Sequence, residues 1–143
     1  MNLVQRGPLR VARKTITFTG GAGAGQSASP ITIFTITGQV DVSLIMGRCT
    51  TSLTSAGGGT LALGVTGGTT LFIGATTGTT ITTTDAIWAS TTPNAFGIAA
   101  PAALKDIIIM ANILGTVGTA DITAGVIEVI CYYLPLSAGA GLA

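Results

Sequence analysis

Gln39-Val40-Asp41-Val42-Ser43-Leu44-Ile45-Met46 is the stretch on which the fold turns. Val40, Val42, Leu44 and Met46 alternate with Gln39, Asp41 and Ser43, the period-two pattern of a strand with one buried face. The same pattern extends outward in both directions. Residues 15–19 place Ile16 and Phe18 opposite threonines, whose branched Cβ suits a pleated surface. Residues 31–37 form another strand, and Gly38 punctuates the chain before Gln39. Beyond Gly57-Gly58-Gly59, Leu61, Leu63 and Val65 share one face, and Gly67-Gly68 marks a hairpin returning through residues 69–73. Residues 76–84 read as a strand or an extended loop, residues 86–90 carry Trp88, and residues 93–101 read as an irregular crossing. The apolar runs 105–113 and 126–134 predict central strands covered on both faces, joined through residues 115–125. The one helical candidate is a short segment over residues 99–105.

Short strands with glycine punctuation predict an all-β fold, a single β-sandwich or jelly-roll-like domain. The body spans residues 15–136, preceded by an extended basic arm at residues 1–14 and followed by a small-residue, flexible tail at residues 137–143. The arm holds four of the six cations and no acid, and Gly7-Pro8 interrupts regular structure within it. Arg6, Leu9, Arg10, Val11, Arg13 and Lys14 are its candidate partner-binding residues. Deleting residues 1–14 is expected to leave the body folded and to abolish attachment to a partner.

Composition narrows the function classes. The chain has 143 residues, 48% hydrophobic and 8% charged, with a formal net charge of +1, and its mean hydropathy is +0.71. Soluble domains carry roughly 25% charged residues. Polarity comes instead from 25 threonines and 21 glycines. Such a surface calls for a protein cover. No apolar run reaches the about 18 residues of a transmembrane helix, so no membrane partner is expected. Four arm cations without an aromatic neighbour argue against nucleic-acid binding.

Chemistry has little to work with. Histidine is absent, and Asp41, Asp85, Asp106, Asp121 and Glu128 are scattered singly, so no acid–base pair is set up by spacing. The chain reads as a non-enzyme with no cofactor, no metal and no small-molecule substrate. Asp121, between Gly118 and Thr123, is expected to fix a turn through nearby backbone amides. Glu128 interrupts an apolar strand and either faces solvent or pairs, with Arg48 and Lys105 the cations beyond the arm. Residues 20–25 are glycine-rich but lack the Lys-Ser/Thr of a phosphate loop. Cys49 and Cys131, 82 positions apart, read as reduced core thiols. Trp88 reads as core, with Trp88, Tyr132 and Tyr133 the candidates if the chain were a host-glycan-binding module.

Gly115-Thr116-Val117-Gly118-Thr119-Ala120-Asp121-Ile122-Thr123-Ala124-Gly125-Val126-Ile127-Glu128-Val129, running into Tyr132-Tyr133-Leu134-Pro135-Leu136-Ser137, resembles the C-terminal end of small virion structural proteins of tailed bacteriophages. Thr37-Gly38-Gln39-Val40-Asp41-Val42 with Gly47-Arg48-Cys49-Thr50 is similar to their early strand pair, as is Ala86-Ile87-Trp88 before Thr92-Pro93-Asn94-Ala95. The resemblance covers residues 31–137 in patches and carries no binding residue. It implies a capsid decoration or cement protein of a virion assembled in the host cytoplasm. Its expected partners are other virion proteins, the major capsid protein foremost, and further copies of itself, such proteins often being trimeric. A tail or fibre component is the alternative within that class.

Overall fold

A computed structural model describes residues 8–143. Strands follow in the order β1 (Arg10–Thr17), β2 (Ile31–Phe34), β3 (Ile36–Thr37), β4 (Val40–Thr54), β5 (Thr60–Val65) and β6 (Gly68–Thr77). After them come β7 (Ile87–Trp88), β8 (Ile107–Ile109), β9 (Ile113–Gly118), β10 (Ala124–Pro135) and β11 (Gly141–Leu142). One large sheet has the order β1-β10-β4-β7, with β8 also on β4; the second has the order β2-β9-β5-β6, and β11 with β3 forms a small third. All of these pairings are antiparallel.

The pairings nest. The first strand pairs with the last long one, β1 with β10; β2 pairs with β9; β4 pairs with β7 and β8; and β5 pairs with β6. A long antiparallel ribbon rolled up on itself gives this order, so the all-β sandwich is a jelly roll. A single apolar cluster fills it, with Ile45 and Val129 from one sheet and Leu63, Ile73 and Ile113 from the other.

Glycines sit where the chain doubles back or is crowded. The expected β5–β6 hairpin is present, with Thr66-Gly67 as its turn and Gly67 at φ +86°. Gly25, at φ +116°, lies so close to the Ile122 carbonyl that a Cβ would overlap it. The Ile122 amide donates to the Gly25 carbonyl at 2.8 Å, pinning the 20–30 loop to the turn before β10.

Several sequence expectations are corrected. The boundary expected at residue 14 falls inside β1, where Arg10 to Lys14 pair with Tyr133 to Val129. That half of the arm is an edge strand of the body; residues 1–7, including Arg6, lie outside the described residues. The tail expected at residues 137–143 is tied down, since β11 pairs with β3 and Ala143 exchanges two backbone hydrogen bonds with Thr35. Run 105–113 is not one central strand. Ile107–Ile109 borders β4, the chain crosses over at Asn112, and Ile113 opens β9 in the other sheet. The Asn112 side chain accepts the Ile36 amide at 2.9 Å at that crossing. The expected 115–125 connection is therefore strand for much of its length.

Run 126–134 is covered on one face only: Ile127, Val129, Cys131 and Tyr133 are buried and their neighbours half-buried. The helical candidate at 99–105 is a single 3-10 turn, Ala102–Leu104. Residues 76–84 finish β6 and pass into another 3-10 turn, Gly78–Thr80.

The decisive stretch holds a bulge. Tyr133 faces Val42 and Tyr132 faces Leu44, leaving Ser43 as an extra residue in β4. One extra residue reverses the alternation beyond it. Val40 and Val42 point inward as expected, but Ile45 and Cys49 then take the buried positions, and Leu44 and Met46 turn outward half-exposed.

Candidate functional site

That reversal gives the β1-β10-β4 sheet an apolar outer face. Val11, Tyr132 and Leu44 form one row across three strands, and Arg13, Ile130 and Met46 form the next. The following row centres on Glu128, whose Oε1 lies 3.3 Å from Arg13 Nη1 and 3.4 Å from Arg48 Nη2. Glu128 thus pairs with Arg48, one of the two cations expected, and with Arg13 of β1 in place of Lys105. Both arginines are more than half exposed, and ion pairs of that kind contribute only about 0.2–1 kcal/mol. They tie three strands together at the polar border of the face.

β7 and β8 leave a gap along β4. β8 covers Val40–Val42 and β7 covers Gly47 and Arg48, so on the side away from β10 the segment between them pairs with no strand among the described residues. A groove of about 250 Å³ opens there, lined by Leu44, Met46, Ile87, Ala89, Gly97, Ile98, Ala100 and Leu104. No lining residue is charged or polar.

Phe96 stands at its rim, 99% exposed, the most exposed large apolar side chain among the described residues. It is held there by a local turn: Asn94 Oδ1 accepts the amides of Phe96 and Gly97, each at 2.9 Å. Asn94 is itself anchored by two backbone hydrogen bonds with Ile87. Ile98, Ile108 and Met110 add further exposed apolar surface. Reading the 93–101 segment as an irregular crossing misses this knob. The available signal is a lone phenylalanine between Ala95 and Gly97 in a proline-bounded loop.

Arg10, Val11, Arg13 and Lys14 all lie in β1 and Leu9 precedes it, half-exposed. Trp88 is fully buried, and its Nε1 donates to Thr76 Oγ1 at 3.0 Å, so it is core. Tyr133 is buried and Tyr132 lies half-buried in the outer row. Asp121 does hold backbone, but a distant one: its Oδ1 accepts the Ser27 amide at 2.8 Å and ties down the 20–30 loop. Among the described residues, no group of three or more His, Cys, Asp or Glu side chains could hold a metal.

Cys49 and Cys131 are buried and unbridged. Burial pushes the Cys131 thiol up from 9.0 to about 12. It raises Cys49 too, against a smaller lowering from the Thr51 backbone. A thiol raised on folding contributes stability that is complete below its unfolded pKa and is lost as pH rises through the folded value. The window for Cys131 therefore opens near pH 9 and closes near pH 12. Urea midpoints of the wild-type protein are expected to fall more steeply between about pH 8.5 and 10.5 than those of Cys131→Ala. Parallel slopes would show that Cys131 does not drive the alkaline loss.

Comparison of the chain with known protein families, with curated proteins and with solved structures finds no match.

Proposed function

We propose that this protein is a non-enzymatic structural component of a tailed-phage virion, decorating the capsid as a homo-oligomer and stabilising it through buried surface. The observation that carries this reading is the outer face of the β1-β10-β4 sheet, whose row of Val11, Tyr132 and Leu44 runs apolar to the groove and is only partly covered in the single chain. An isolated soluble domain gains nothing from such a face. A shell protein does, because each apolar Å² removed from water contributes about 25 cal/mol and a lattice repeats the contact many times. Jelly rolls occur among viral capsid domains, and also among lectins and cupins, so the fold supports the reading without deciding it. The low charge and the interstrand Arg13–Glu128–Arg48 cluster fit a contact surface better than a reaction site.

The test is to tag the C-terminus, produce virions in cells that express the whole phage genome, and image the label on purified particles. Regular labelling of the head is expected. Label confined to the tail would overturn the capsid position, and unlabelled particles would overturn the virion reading.

A further inference from the structure

We infer that Phe96 and the groove beside it form a self-complementary contact, the Phe96 ring of one chain seating in the groove of a second copy. The inference rests on the oligomeric part of the proposed function and names the surface. Knob and hole lie on one loop: Gly97 and Ile98, which follow Phe96 directly, line the groove. Adjacent complementary features suit a two-fold contact, in which each chain gives and receives the same group. A partner of another kind would use only one of the two.

Size and chemistry agree. An apolar cavity of about 150 Å³ admits a benzene ring, and the groove offers about 250 Å³ between Leu44, Met46, Ile87, Ala89, Ile98 and Leu104. No charge has to be stripped of water on entry. Asn94 fixes the backbone at Phe96 and Gly97, and the ring projects into solvent, 99% exposed, rather than filling its own groove. Ile98, which lines the same groove and is itself partly exposed, would be covered as the ring seats. A ring in a desolvated pocket at the centre of such a contact is the kind of residue that dominates its affinity.

The purified chain is expected to sediment as a monomer–dimer equilibrium. Phe96→Asp should raise the dissociation constant by about 30-fold or more, and at concentrations where both proteins are monomeric its melting temperature should match wild type because the side chain is 99% exposed. Ala100→Leu, which fills the groove and leaves the knob intact, should weaken association in the same direction. A photoreactive benzophenone side chain in place of Phe96 should cross-link to Leu44, Met46 or Leu104 of a second copy. A wild-type chain that stays monomeric at about 100 μM, a dimer unaffected by Phe96→Asp, or cross-links outside the groove would each overturn the contact. Virion labelling reports on the proposed function separately: monomers that still decorate heads would refute only the contact, and Phe96-dependent dimers missing from particles would refute only the virion role.

Discussion

Trp88→Ala is expected to cost about 3–5 kcal/mol of unfolding free energy, the usual range for deleting a fully buried large aromatic. Trp88 has no exposed surface, and the backbone is shaped around it. Gly47 faces the indole so closely that a Cβ there would lie 2.5 Å from Cε3. The indole also bonds across the sandwich, joining β7 of one sheet to Thr76 in β6 of the other. Thr76 is buried and polar, and its hydroxyl donates to the Gly74 carbonyl at 3.0 Å while it accepts from the indole. Trp88→Phe keeps most of the volume and loses that bond, so about 1–2 kcal/mol is expected. Since domains have only about 5–15 kcal/mol in total, the alanine variant should be partly unfolded at moderate urea. Far-ultraviolet circular dichroism against urea measures both variants, the native fluorophore having been removed. A loss below about 1 kcal/mol for alanine would show that the indole is not structural.

Deleting residues 1–14 should lower the melting temperature by about 10 °C or more, or leave the protein insoluble. The deletion removes five of the eight rungs between β1 and β10, together with Arg13 from the Glu128 cluster. β10 would then present a long unpaired edge, a template for aggregation. Deleting residues 1–7 leaves all eight rungs of β1 with β10 in place and should lower the melting temperature less than the longer deletion does. The shorter deletion is therefore the one that can test attachment to capsids without damaging the fold. Equal melting temperatures for the two truncations would mean that β1 adds no stability.

The difference between those truncations shows what could be read from the chain. Arg10, Arg13 and Lys14 look like an arm because they gather charge in a charge-poor protein, but edge strands carry cations for a reason of their own: they discourage pairing with foreign strands. Composition does not distinguish the two roles. The β5–β6 hairpin was legible because Gly67 has a local conformational demand. The bulge at Ser43 was not, since it exists only in the register of β4 against β10 and nothing within residues 39–46 announces it. The groove follows from that bulge, so it was hidden as well. Run 105–113 misled for a related reason: apolar residues record burial, not which sheet supplies it. Trp88 was read correctly because it lies between apolar neighbours, and the burial of both cysteines was legible from their isolation.

The nesting of the strands also sets a timetable for synthesis. β1 is made before the other described strands, yet the strand it pairs with among the described residues is β10, and Arg13 meets Glu128 across 115 residues of chain. At about 5–20 residues per second, the ribosome needs roughly 6–25 s to supply that partner. During that interval the β5–β6 hairpin can close from neighbouring residues, while β1 has to wait. Completion of the first sheet is thus delayed until β10 has been made, and contacts so distant in sequence form slowly even then. A nascent chain with so little charge to keep it apart from others would gain from a chaperone at that stage.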